Sequence, residues 1–280
     1  TLKEVSRVMN VDKSIENLKT LMAKGNIHIH TDLIAGLPHD TLGFFKEAFN
    51  RIYEIKAHYM QLGFLKLLRG TRIREEAERH GYKYREYPPY EVIENKYISV
   101  DEILILKGVE EVLDRTWNSG RFTYTLEYLV EFFASPFELY EGFAEFLKQQ
   151  GRLYQPMSAV SLFKLLREYA LNTEGIDSIT LDSLMALDYA CSLKNTVIPD
   201  FLEDSTVKAI DVREIFEEHI PKKVWRKEYR RKFMVIEGRF PDRIVGEAII
   251  LNNRVLVDMD FMDTVTNRAV PDNLSRLFTQ

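Results

Sequence analysis

The run Asp32-Leu33-Ile34-Ala35-Gly36-Leu37-Pro38 decides how the first third of the chain is read. It closes an apolar stretch, Ile27-His-Ile-His-Thr-Asp-Leu-Ile34, that reads as a strand, and Gly36 with Pro38 breaks it. Upstream, Leu2, Val5, Val8 and Met9, then Ile15, Leu18, Leu21 and Met22, recur at helical spacing until Gly25-Asn26 stops the pattern. Downstream, a helix is expected from about Thr41, with Phe44, Phe45, Phe49, Ile52 and Ile55 along one side. A second strand follows over Tyr59–Leu68, stops at Arg69-Gly70-Thr71, and gives way to a helix from Ile73 towards His80. Strands alternating with amphipathic helices argue for βαβ units and a parallel sheet. In such sheets ligands gather at the carboxyl ends of the strands.

Beyond that point the pattern changes twice. Tyr82–Tyr97, rich in tyrosine and carrying Pro88-Pro89, reads as a long loop. Helix returns over Asp101–Leu113, and helical segments near 121–133, 136–150, 156–172 and 180–194 are separated by Ser-Pro, Gly-Arg and Gly-Ile-Asp breaks. A basic stretch, Pro221–Lys232, precedes three short strands at 232–237, 247–251 and 255–259, with Asn252-Asn253-Arg254 as the tight turn between the last two. The expected organisation is therefore an α/β domain over 1–120 and a mainly helical domain over 121–280. The second ends in a three-stranded antiparallel element at about 232–260.

Composition narrows the chemistry. The 280 residues include 43 acidic and 38 basic side chains, for a net charge of -5, so no global field draws the chain to nucleic acid or anionic membrane. No run approaches the roughly 20 consecutive apolar residues of a spanning helix, and a cytoplasmic protein is expected. The opening Thr1-Leu-Lys-Glu-Val-Ser reads as mid-helix and lacks an initiator methionine, which fits a piece of a longer protein. The single cysteine, Cys191, lies in an apolar helical stretch and reads as a buried core thiol.

Arg7, then Asp32-Leu-Ile-Ala-Gly-Leu-Pro38, then Thr41 resembles the middle of a radical S-adenosylmethionine barrel. The nearest subtype is shared by oxygen-independent coproporphyrinogen dehydrogenase and the cobalamin-binding radical enzymes. Some of the latter carry the label anaerobic magnesium-protoporphyrin IX monomethyl ester oxidative cyclase. The resemblance covers about residues 1–120 and implies the C-terminal half of a radical-SAM (β/α) partial barrel. The remainder is similar to an uncharacterised C-terminal domain of the cobalamin-binding branch. It implies an oxidoreductase that binds S-adenosylmethionine through Arg7, Asp32 and Lys66. A guanidinium fork suits the cofactor's carboxylate, and an aspartate at a strand end suits ribose hydroxyls.

The resemblance also implies a [4Fe–4S] cluster held by a Cys-x3-Cys-x2-Cys loop upstream of Thr1, and cobalamin in an amino-terminal domain. Cluster iron needs thiolates, and one cysteine cannot supply three, so this chain is expected to be inactive alone and to lack catalytic residues of its own. Its expected partners are the missing N-terminal part, a small-molecule substrate and, over an open sheet edge, a second copy of itself. The sequence departs from the family at Asp40, where a glutamate or glutamine is usual, and at Arg69, where a proline is usual. The second change puts a cation near the site mouth, for an anionic substrate group or simply facing solvent.

Each residue also has a plainer reading. Arg7 pairs with Glu4 on a helix surface, and Asp32 caps a turn. His28, His30 and Asp32 alternate onto one strand face but span about 13 Å, too long for one metal ion, so histidines lining the sheet are the better account. Trp225 and Tyr229 sit at helical spacing in a basic stretch that Glu217, Glu218 and Glu228 dilute, which reads as a solvated face rather than a nucleic-acid site. The alternative to the enzyme reading is a non-catalytic helical interaction or scaffold module.

Overall fold

The computed structural model of the chain describes residues 10–193, 198–202, 208–210, 233–245, 249–251, 254–262 and 269–272. The chain divides into two compact units, one of residues 1–118 and 135–155, the other of residues 119–134 and 156–280.

The first unit is built on one βαβ element. Helix α1 (Val11–Met22) starts where Asn10 accepts the Lys13 N–H. Its Ile15, Leu18, Leu21 and Met22 pack on a small core of Ile29, Ile55 and Ala57. Strand β1 (His30–Ala35) leads to α2 (Leu42–Tyr53), whose first turn is capped by the Thr41 hydroxyl and which buries Phe45, Phe49 and Tyr53. Strand β2 (Tyr59–Phe64) returns parallel to β1, with His30 beside Tyr59, Asp32 beside Gln61 and Ala35 beside Phe64.

Two short helices, α3 (Arg72–Glu75) and α4 (Ala77–His80), follow. The single helix expected over 73–80 is broken at Glu76. A small antiparallel pair, β3 (Lys83–Tyr84) and β4 (Val92–Glu94), then occupies part of the stretch that reads as a loop. Helix α5 (Val100–Arg115) opens with a capping box of Ser99 and Glu102.

Helix α7 (Pro136–Gln149), capped by Ser135, lies against α5. The approach is close at Gly108, where a Cβ would stand 3.3 Å from the Ala144 methyl, a tight contact. Phe49, Tyr53, Trp117, Phe137 and Tyr140 form one aromatic cluster in which Phe49 meets Phe137 edge to face at 5.3 Å.

One side of the parallel pair is packed. Thr31, Ala35, Met60, Leu62 and Phe64 are buried there, with α2 against β1 and α5 against β2. The other side carries His30, Asp32 and Gln61, all exposed. The described residues hold this mixed α/β unit and no barrel; the parallel sheet within them has two strands.

The second unit centres on α9 (Ser178–Leu193), in which every residue from Thr180 to Cys191 is buried. Its polar side chains are accommodated individually. Arg167, on α8 (Ala159–Leu171), holds the buried Asp182 by two bonds of 2.6 and 2.8 Å. Asp188 accepts the N–H groups of Tyr124 and Thr125 at the start of α6 (Thr123–Leu129). Cys191 is the buried thiol that its apolar surroundings predict.

Helix α9 packs on an antiparallel sheet of five strands, β5 (Lys208–Ile210), β6 (Phe233–Glu237), β7 (Ile249–Leu251), β8 (Arg254–Met262) and β9 (Ala269–Asp272). The order is β5-β6-β8-β7, with β9 also on β8, so the expected three-stranded element gains a strand at each end of the sequence. A short helix, α10 (Asp242–Val245), lies between β6 and β7.

Candidate functional site

The parallel pair offers two surfaces for chemistry, its open face and the rim at its carboxyl end. The open face follows from strand alternation. His30 stacks on Tyr59 with ring centroids 5.0 Å apart, and its Nε2 lies 2.9 Å from His28 Nδ1. His28 stacks in turn on His58, whose Nδ1 accepts the Ile29 N–H. These ring contacts and hydrogen bonds engage His28 and His30 with each other and with neighbouring rings. No group of three metal-binding side chains exists among the described residues.

Asp32 stands on the same face with both oxygens unbonded among the described residues. It lies within β1 rather than at its end, because the apolar Leu33, Ile34 and Ala35 carry the pairing three residues further. At one border of the face burial and the neighbouring Asp114 raise the Tyr59 phenol. Burial also raises the Glu110 carboxyl, against the opposing pull of Lys107.

The rim is held together by residues far apart in sequence. The Gly36 carbonyl accepts from both the Tyr82 hydroxyl (2.8 Å) and the Asn95 amide (3.0 Å). Asn95 uses its own carbonyl to hold the Tyr97 and Ile98 N–H groups. Next along the turn, His39 takes a left-handed backbone (φ 63°), a conformation that histidine tolerates better than most residues. Its ring lies 4.5 Å from that of Tyr97, whose hydroxyl is 3.1 Å from Nδ1 of the buried His80.

Asp40 is half-buried beside these groups, and burial pushes its carboxyl up to about 6. A carboxyl that changes charge close to neutrality, following His39 in the turn and near enough to Tyr82 to act on its phenol, can hold or release a proton at this strand end.

The residues expected to grip a nucleotide are distributed as follows. Arg7 lies outside the described residues, as does the basic stretch 221–232. Lys66 is exposed two residues beyond β2, bridged through its backbone to Glu91. Asp32 is level with Gln61, so Lys66 stands five residues, roughly 16 Å, further along the strand direction. Tyr82 and Asn95, which brace the rim, carry no motif of their own, and Asp40 stands out in sequence only as a departure from the family. The sequence offers only a weak signal for them, an asparagine within a tyrosine- and proline-rich stretch.

Among comparisons with known proteins, residues 78–237 match the model of a family described as a protein of unknown function, DUF4080. No curated protein matches the chain. No helix among the described residues is long and apolar enough to cross a membrane.

Proposed function

Because that match spans more than half of its length, the chain belongs to the DUF4080 family, a domain found in cobalamin-binding radical SAM proteins, and from this premise we propose that it forms part of the S-adenosylmethionine-binding barrel of a radical oxidoreductase. The observation that carries the reading is the open face of the β1–β2 pair. Parallel sheets are covered on both faces, and two strands alone do not hold together in water. A packed side of Ala35, Leu62 and Phe64 opposite a polar side of His30, Asp32, Tyr59 and Gln61 is what one segment of a larger parallel barrel would present to a polar ligand.

The chain's residues fit S-adenosylmethionine in part. The Asp32 carboxylate has both oxygens available to accept ribose hydroxyls, and Arg7 would hold the cofactor's carboxylate. When bound and reductively cleaved, the cofactor supplies hydrogen-atom abstraction from a substrate. The [4Fe–4S] cluster does not fit this chain, whose one thiol is buried in the second unit. The cluster cysteines and any cobalamin site would come from polypeptide outside these 280 residues.

The test is anaerobic reconstitution of the complete protein with iron and sulfide, followed by S-adenosylmethionine binding and release of 5′-deoxyadenosine. Arg7→Ala and Asp32→Ala should each weaken cofactor binding by about tenfold or more, the worth of a charge-assisted bond. Unchanged affinity in Asp32→Ala would overturn the assignment.

A further inference from the structure

We infer that Arg69 and Arg74 form a binding site for the oxyanion group of a small molecule, at the carboxyl end of β2. The inference stands on three observations and does not require the cofactor reading above. The first is charge. Arg69 and Arg74 lie 5.9 and 5.2 Å from the centroid of one ring, Tyr90, and Arg74 also sits 5.1 Å from the Tyr84 ring. Among the described residues neither guanidinium pairs with a carboxylate. Both guanidinium groups lie within 6 Å of the centre of that ring, so an anion bound beside it would be attracted by both charges. The guanidinium fork matches carboxylate and phosphate oxygens bidentately.

The second observation is rigidity. Arg74 donates from Nη1 to the Leu67 carbonyl at 2.9 Å. The turn before it is locked by the Thr71 hydroxyl bonding to the Leu68 carbonyl, with Gly70 at φ 78°. Arg74 is thus held by a ring pair and a carbonyl, which lowers the entropy lost when it engages a ligand.

The third is strain. Tyr90 has a left-handed backbone, φ 60°, which is costly for a large aromatic residue. Hydrogen bonds on both sides maintain it, from Leu67 N–H to the Tyr90 carbonyl and from Tyr90 N–H to the Tyr87 carbonyl, each 2.9 Å. Backbone strain of this kind persists where the surroundings over-determine it, and it concentrates at ligand sites. Here it places the ring that both arginines share. Nearby Arg72 and Lys83 pair with Glu76 and Glu94, and Glu75, Glu86 and Glu91 lie in the same stretch of chain, so the surroundings add little positive charge to the two forks. That favours one compact anion over an extended polyanion.

The experiment is titration of the full chain with sodium pyrophosphate and, separately, with citrate, at constant ionic strength, followed by calorimetry and tyrosine fluorescence. Saturable one-to-one binding of either probe is expected, the tighter one marking the ligand as a phosphate or a carboxylate. Arg69→Gln and Arg74→Gln should each weaken it about tenfold. Arg69 is exposed and, among the described residues, meets only the ring face, so Arg69→Gln tests the site even if Arg74→Gln fails to fold. Absence of saturable binding by either probe, or equal affinity in Arg69→Gln, overturns the inference. So does tighter binding of a ten-nucleotide single-stranded RNA than of both small anions.

Discussion

A Cβ atom on Gly36 would stand 2.8 Å from Val92 Cγ1, closer than side-chain carbons approach one another. Gly36 also has φ 86°, a region that costs a residue with a side chain. The same residue offers its carbonyl to Tyr82 and Asn95, so the rim rests on it. Gly36→Ala should cost about 2–4 kcal/mol from clash and strain together. Adding Val92→Ala removes the clash but not the strain, and so restores only part of the loss. Urea unfolding of Gly36→Ala, Val92→Ala and the double variant measures this; full rescue in the double variant, relative to Val92→Ala, would show that the backbone conformation contributes nothing.

Asn118 ends the sheet at β2. Its side-chain amide pairs with Met60 as a neighbouring strand would, Oδ1 accepting the Met60 N–H and Nδ2 donating to the Met60 carbonyl, each at 2.9 Å. Met60 is buried, so Asn118→Ala leaves two backbone groups short of partners, at about 1–3 kcal/mol. Amide hydrogen exchange at Met60 should accelerate in the variant. Protection equal to wild type would mean that other groups satisfy this edge.

The parts of this fold that were legible in sequence are those in which one local period decides. β1, α2 and β2 follow from an apolar run, a Thr41 cap and a row of phenylalanines, and the buried α9 follows from Leu181–Cys191. Where several residues of weak preference meet, the sequence is silent. The β3–β4 pair has strands of two and three residues in a tyrosine- and proline-rich stretch, and tertiary hydrogen bonds from Lys66, Leu67 and Leu65 stabilise it rather than alternation. The same holds for the rim. Nothing local to Gly36 announces Tyr82 and Asn95, 46 and 59 residues away. Likewise, nothing local to Arg74 announces Tyr84 and Tyr90. Asp32 was expected at a strand end because Gly36 and Pro38 punctuate the run, yet the backbone pairs up to the glycine itself.

Asp40 gives a pH dependence of definite sign. Its folded-state value of about 6 lies above the ordinary 3.8 because burial disfavours the charged form. Below about pH 4 the carboxyl is protonated both folded and unfolded and costs nothing. Between about 4 and 6 the folded chain binds more protons than the unfolded one, so this group makes stability fall as pH rises, and above 6 the full penalty applies. Asp40→Asn should therefore be more stable than wild type at pH 7 and lose that slope. A variant less stable at pH 7, or one with an unaltered slope, would mean that the ionised carboxylate is held by a favourable partner.

Helix α6 has no cap of its own. Phe122 precedes it and makes no side-chain bond to its first turn, whereas short helices depend on such bonds for their leading N–H groups. The deficit is met from another helix, since Asp188 takes the Tyr124 and Thr125 N–H groups at 3.1 and 2.8 Å. It also sets a negative charge at the positive end of the helix dipole. This accounts for a charged residue in the middle of α9, whose neighbours on both sides are apolar and buried. Asp188→Ala removes the acceptor of one buried N–H (Thr125) and one half-buried N–H (Tyr124) and should cost about 1–3 kcal/mol. Asp188→Asn keeps one acceptor, turns an amide donor towards N–H groups, and should cost less than the alanine. Thermal unfolding and amide exchange at Thr125 distinguish the two. If asparagine proves as damaging as alanine, the charge rather than the hydrogen bonds is what α6 draws from α9.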